Sequence, residues 1–273
     1  MEIRQLRAHE VQNYLAAYYS YHNVQNPEDF AATKLEDYTP EDLQQVADLF
    51  TVALCQGQFI AGICLYQGKF LQDGWPDTHL EGFAKIIDTL INTTGELATY
   101  LNGFKPSESQ KIQELLESKG LKSQTIYDMK RDLFGSLYTE DATFQVWSEE
   151  LDQTFQDIYR QCSGEFAFSY DIAKNHMGGG FSPQFWLLDN EGGMIGANHP
   201  AHHADNEIIF TVAALCGPEN SKRKLLHTLM AKIYAVYPAA EVHTHAEEKD
   251  KGLLESVGFA VRDTQKLLCL VKQ

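Results

Sequence analysis

Gly252-Leu253-Leu254-Glu255-Ser256-Val257-Gly258-Phe259, near the end of the chain, decides how the rest is read. Its words occur once before, about half a chain earlier, as Glu114-Leu115-Leu116-Glu117-Ser118-Lys119-Gly120-Leu121. In both places a charged amphipathic stretch with a Leu-Leu pair reaches a Gly. An apolar alternating run follows at once, ending near Leu133 in the first copy and near Val271 in the second. Gly just past the last apolar position suits the left-handed conformation that closes a helix, so each stretch predicts a helix that stops and feeds a strand. A long-period repeat fixes architecture before any single element does. The chain therefore predicts one α/β unit used twice, over residues 1–135 and 144–273, with the break where apolar periodicity lapses between Phe134 and Thr143.

A length of 273 residues holds two domains of ordinary size, and 44% hydrophobic content supplies a core for each. A formal net charge of −16 argues against nucleic acid, whose phosphates need a basic face, and against an anionic membrane surface. No apolar run approaches the roughly 20 residues that span a bilayer. Met1 to Arg7 lacks the apolar core of a signal peptide. Five cysteines, none in a CxxC pair and mostly among apolar neighbours, predict reduced, buried thiols in a cytoplasmic protein.

Along the first half, Ile3 to Leu6 suits a short strand, and Val11, Tyr14, Leu15, Tyr18 and Tyr19 recur at helical spacing. Asn26 to Pro40 is polar and proline-broken, so it reads as a loop with at most a short helix. Phe50 to Cys55 and Phe59 to Tyr66 flank Gln56-Gly57-Gln58, a hairpin signal, and Lys69 to Gln72 suits another strand. Phe83, Ile86, Ile87, Leu90 and Ile91 mark a helix, and Glu96 to Leu101 a strand. The second half repeats that order. Phe144 to Trp147 is strand-like, and Ser148 stands where it can cap a helix through Leu151, Phe155, Ile158 and Tyr159. Ala167 to His176 reads as helix, and a hairpin is expected across Asp189 to Gly193. The apolar run Ile208 to Leu215 suits a buried central strand. A helix through Leu225, Leu226, Leu229, Met230 and Ile233 and a strand from Glu241 to His245 lead into the last helix and strand.

This order resembles the GNAT superfamily of acyl-CoA-dependent N-acetyltransferases. Leu253 to Phe259 looks like that family's final helix and Gly-Phe strand entry. The stretch from Val212 to Leu226, VAALCGPENSKRKLL, resembles its central strand, pyrophosphate loop and following helix. The resemblance implies an α/β (α+β) fold of two tandem GNAT-like domains, each a mixed central sheet flanked by helices. It also implies acetyl-CoA as co-substrate, an acetyl group passed to an unidentified primary amine, and binding by Val212, Ala213, Ala214, Leu215, Gly217, Asn220, Ser221, Lys222 and Arg223. The physics agrees, because main-chain N–H groups at a helix N-terminus bind phosphate without any particular side chain. Lys222, Arg223 and Lys224 fall in the first helical turn, where the dipole disfavours cations. An anion docking there explains them; a solvated basic patch answering acidic surface is the alternative.

The sequence also departs from the family. Its loop pattern of Arg or Gln, two residues, Gly, one residue, and Gly or Ala falls on Gly217, Asn220 and Lys222, so Asn220 is expected to supply a positive-φ turn. In the first half the matching stretch, Thr78 to Ile87, puts Glu81 and Phe83 at the glycine positions. A carboxylate there repels pyrophosphate, so the first half reads as a degenerate copy and acyl-CoA is assigned to the second. The family's tyrosine acid, four residues before the Gly of Gly-Phe, is Leu254 here and Leu116 in the first copy. Ser256 and Ser118, two residues on, fit a helix-end role. Glu207, at the start of the central strand, and His243, sharing a strand face with His245, are the first choices for the general base. His199, His202 and His203 surround Pro200 with no Cys beside them, so no metal site is expected. The rival reading is a catalytically inactive GNAT-like ligand-binding or scaffold protein. Assembly into a homodimer stays open.

Overall fold

The computed structural model describes residues 1–22, 38–66, 68–101, 104–134, 143–162, 169–175, 179–199 and 208–270. The first elements are β1 (Glu2–Gln5), α1 (Val11–His22), α2 (Pro40–Asp48), β2 (Phe50–Cys55), β3 (Gln58–Tyr66), β4 (Phe70–Trp75), α3 (Glu81–Thr94), β5 (Leu97–Tyr100), α4 (Pro106–Ser118) and β6 (Lys122–Asp132). Then come β7 (Phe144–Val146), α5 (Asp152–Cys162), α6 (Tyr170–Asn175), β8 (Trp186–Asp189), β9 (Met194–Asn198) and β10 (Ile209–Cys216). The chain closes with α7 (Glu219–Val236), β11 (Glu241–Glu247), α8 (Glu248–Ser256) and β12 (Ala260–Leu270). Two compact units result, Met1–Gln124 with Lys266–Gln273, and Thr125–Gln265.

In the first unit the strands pair in the order β1-β2-β3-β4-β5, all antiparallel except β4–β5. Leu267 to Leu270 of β12 pair antiparallel with β5. The β2–β3 hairpin turns on Gln56 and Gly57, with φ of 51° and 80°, the double left-handed geometry of a two-residue hairpin. Ile63, Leu71, Phe83, Ile86, Leu97, Ile112 and Leu116 build the core under α3 and α4, and Leu268 joins it. On the other face Val11 and Tyr14 of α1 and Ala47 of α2 meet Val52, Leu54 and Trp75. Helix α2 begins at Pro40, where the stretch read as a loop with at most a short helix ends, and occupies residues that the sequence reading left unassigned. The Thr39 side chain accepts the Asp42 N–H, Asp42 accepts the Thr39 N–H, and Pro40 fills a first helical position.

In the second unit the order is β6-β11-β10-β9-β8-β7, with only β10–β11 parallel. Phe210, Val212, Val242 and Ala246 pack under Leu225, Leu226 and Leu229 of α7 and Leu253 and Leu254 of α8. Ala213, Ala214 and Cys216 pack on the opposite face with Phe155 and Tyr159 of α5 and Tyr170 and Ala173 of α6. The strand that follows each Leu-Leu-Glu-Ser helix thus pairs outside its own repeat. β12, which follows α8, borders β5, and β6, which follows α4, borders β11.

The two Leu-Leu-Glu-Ser stretches close alike. Ser118 Oγ donates to Leu115 O and Ser256 Oγ to Leu253 O, each at 2.6 Å. The Leu121 N–H reaches Leu116 O at 3.1 Å and the Phe259 N–H reaches Leu254 O at 3.0 Å. Gly120 and Gly258 take φ of 94° and 91°, the left-handed close expected of them. Two smaller expectations fail. Ser148 makes no side-chain cap, because a 3-10 turn at Glu149–Leu151 comes between it and α5. Cys55 and Cys162 are exposed rather than buried, since each ends its strand or helix.

Candidate functional site

The parallel ladder of the second unit is short. Ile209 pairs with Glu241, Phe210 with Val242 and Thr211 with His243, and there it stops. Beyond that point β10 stays paired with β9 as far as Cys216–Met194, and β11 with β6 as far as Glu247–Ile126. The two central strands therefore part after Thr211 and His243. On that side Val212, Ala213, Ala214 and Leu215 have no strand partner among the described residues. One extra residue enters β10 between Val212 and Ala214, a bulge that puts Ala213 and Ala214 in the same core cluster. An opening at the C-terminal end of parallel strands is where α/β sheets take ligands.

Only Gly217 and Pro218 separate β10 from α7. Gly217 has φ 113°, and a Cβ on it would lie 2.6 Å from Gly193 Cα. A Cβ on Gly193 would lie 1.8 Å from Ser221 Oγ. Both glycines are there because the start of α7 presses onto the β8–β9 hairpin. Asp189 fastens the contact, its Oδ1 accepting the Gly193 N–H at 2.8 Å and the Glu191 N–H at 2.9 Å, its Oδ2 accepting from Ser221 Oγ. Ser221 is fully buried, so its hydroxyl belongs to the hairpin. The expected turn at Asn220 is corrected, since Asn220 is the second residue of α7 and the positive φ falls at Gly217. No side chain caps α7, which leaves its first-turn N–H groups available to a ligand.

Each cation of the basic triplet has a carboxylate in its own unit. Lys222 meets Asp250 at 2.7 Å, Arg223 meets Glu219 at 3.1 Å, and Lys224 meets Glu191 at 2.5 Å. Arg223 also donates to Ser256 Oγ. These pairs account for the triplet without an anion. In the first unit the matching helix start differs. Asp77 Oδ2 accepts the Glu81 N–H and Oδ1 the Phe83 N–H, each at 3.0 Å.

On β11, Val242 and Ala246 enter the α7–α8 core, so alternation sends Glu241, His243 and His245 to the opposite face. His243 Nε2 lies 2.9 Å from Glu241 Oε2, and Lys130 Nζ donates to Glu241 Oε1 at 3.1 Å. The His243 hydrogen bond, opposed by burial and helped by Lys130, holds the Glu241 carboxyl below its ordinary value. His245 stands opposite Asp128, which Arg262 Nε engages at 2.9 Å. Desolvation lowers the His245 imidazole below 6.5, against the pull of Asp128. Glu207, His202 and His203 lie outside the described residues. His199 Nε2 lies 2.8 Å from the Tyr237 hydroxyl. Leu254 is 1% exposed within the α7–α8 core, so that position presents no group to the parted strands. Glu241, which orients His243, was missed in the sequence, although its i, i+2 spacing on a strand was the signal for it.

Among the described residues no group of three or more His, Cys, Asp or Glu could hold a metal ion. No described helix is long and apolar enough to cross a membrane. No family model matches the chain. No curated protein sequence matches it either. Solved structures do share its fold. A GCN5-related N-acetyltransferase from Kribbella flavida is 11% identical over 99% of this chain and 71% of that one, with a TM-score of 0.57. One from Anabaena variabilis is 9% identical over 98% and 72%, with a TM-score of 0.56. Eis1 from Mycobacterium abscessus is 11% identical over 100% and 74%, with a TM-score of 0.51.

Proposed function

We propose that this chain, which has the fold of the GCN5-related N-acetyltransferases, transfers an acetyl group from acetyl-CoA to a small-molecule primary amine. On this reading the second unit does the chemistry and the first is a degenerate copy of the same α/β unit. The parting of β10 from β11 after Thr211 and His243 carries the proposal. Those main-chain N–H groups of Val212, Ala213, Ala214 and Leu215 that face away from β9 polarise the thioester carbonyl. The uncapped turn into α7, from Gly217 through Asn220 and Ser221, holds the pyrophosphate through its N–H groups, with the Lys222 and Arg223 side chains beside it. The acceptor nitrogen attacks the acetyl carbon, the new C–N bond forming as the C–S bond breaks. His243, held by Glu241, takes the amine proton, with Glu207 as the other candidate base. Water serves the departing sulfur, since a thiolate is a fair leaving group near neutral pH.

The carboxylate partners of Lys222, Arg223 and Lys224 favour a second reading, an inactive GNAT-like ligand-binding or scaffold protein. Calorimetry with acetyl-CoA, together with CoA release across a panel of primary amines, separates the two. Release with any amine supports the transferase, and binding without release supports the second reading. Failure to bind acetyl-CoA removes the transferase and leaves only the fold assignment standing.

A further inference from the structure

The first unit contains a cavity of about 260 Å³ between α1 and α2. Among the described residues, Tyr14, Tyr18, Tyr19, Tyr38 and Phe50 supply its rings, and Asp73 is the one charged group lining it. The rest of its lining is Val and Leu, and no basic side chain lines it among the described residues. Asp73 sits on β4 at φ 47°, where that strand carries an extra residue against β3. A left-handed non-glycine residue within a strand is a strained choice, and such strain collects where a side chain is needed in a particular place. Burial, and then the Asp73 charge, pushes the Tyr18 phenol up to about 12, so that ring is a neutral phenol at ordinary pH.

The second unit shows what such a box accepts. Lys174 of α6 holds its ammonium 4.6 Å from the Trp147 ring centre, 5.0 Å from Phe181 and 5.5 Å from Tyr170. The same nitrogen lies 2.8 Å from Asp152. One ammonium, three rings and one carboxylate make a closed set, supplied by the chain itself. In the first unit the rings and the carboxylate are present, and among the described residues no lysine or arginine lines the box.

We propose that the cavity between α1 and α2 binds a small organic ammonium ion carrying an apolar group, with the charge at Asp73 and the apolar part against the tyrosine rings. Cation–π attraction and one carboxylate select the charge, while Val and Leu accept the apolar part. The site is independent of whether the second unit transfers acetyl groups.

The test is calorimetry on the full chain with 2-phenylethylammonium and its neutral counterpart 2-phenylethanol, without acetyl-CoA. Saturable binding of the ammonium is expected, with the alcohol about tenfold weaker or more. Asp73→Asn tolerates the positive φ and should leave the melting temperature unchanged. It should weaken ammonium binding about tenfold, and Tyr18→Leu should weaken it by a similar factor. Tyr18→Phe keeps the ring and is expected to keep the binding, which guards against a misfolded leucine variant. Equal affinity for alcohol and ammonium overturns the proposal, as does the absence of saturable binding. Ammonium binding that survives both Asp73→Asn and Tyr18→Leu lies elsewhere and overturns it too.

Discussion

Asp77 Oδ1 accepts the backbone N–H of Phe83 at 3.0 Å, on the helix start of the first unit that matches a phosphate-binding turn. Its other oxygen accepts the N–H of Glu81, so the chain's own carboxylate occupies two helix-start donors that a pyrophosphate could otherwise use. Asp77→Ala should remove this cap and cost about 1 kcal/mol, read as a lower urea midpoint at unchanged slope. Acetyl-CoA affinity should not change, because the proposed site is in the second unit. A second CoA equivalent in calorimetry of this variant would show that the first unit is an occluded site rather than a degenerate one.

Gly217 is expected to be among the least tolerant glycines of the second unit. At Gly217 an alanine meets both a forbidden φ of 113° and backbone 2.6 Å away. The strain alone costs about 1–3 kcal/mol, and the overlap with Gly193 cannot be relieved by turning a side chain. Gly57→Ala is the control, with φ 80° but nothing within 4 Å, and should cost only about 1 kcal/mol. Equal losses for the two in thermal unfolding would mean that α7 does not press on the hairpin.

Much of this layout was legible because it rests on local rules. The Leu-Leu-Glu-Ser-x-Gly words specify a helix, a serine bond three residues back and a left-handed stop, and all three occur twice. Helix α2 was hidden behind Pro40, although Thr39-Pro40-Glu41-Asp42 carries a full capping box, because a proline reads as a break unless it is placed at a helix start. The partners of Lys222, Arg223 and Lys224 were not legible. Asp250 and Glu191 come from elements remote in sequence, and periodicity carries no information about which charges meet. The exchange of β6 and β12 was equally out of reach, since a strand's neighbours depend on topology and not on its own pattern.

Asp152 gathers Trp147 Nε1, the Tyr170 hydroxyl and Lys174 Nζ, each at 2.8 Å. Burial raises its pKa, but these hydrogen bonds outweigh that and leave it below its ordinary value. A carboxyl depressed in the folded state adds stability that is present above the unfolded pKa of 3.8 and lost as pH falls through the folded value. Asp152→Asn should therefore destabilise at pH 7 by about 1 kcal/mol, a modest figure because the side chain is 37% exposed. The difference from wild type should shrink in the most acidic range. A difference that does not vary between pH 7 and pH 3 would mean that the charge contributes nothing.

His243 is tested through two readouts, because Glu241 reports on it. The His243 hydrogen bond is the largest influence holding the Glu241 carboxyl low. Stability from Glu241 is thus present above its ordinary value of 4.5 and lost as pH falls through the depressed one. His243→Gln weakens that hold, so Glu241 should titrate closer to 4.5 and the variant should unfold at a higher pH than wild type during acid titration. If His243 is the base, the same variant should also lose about 100- to 10,000-fold in amine-dependent CoA release, and the acidic limb of the rate profile should vanish. Glu241→Gln keeps the imidazole and removes its anchor, so it should lower the rate less. A His243→Gln protein that is more acid-sensitive yet transfers acetyl groups at the wild-type rate would make His243 a partner of Glu241 only, and Glu207 would be the next residue to replace.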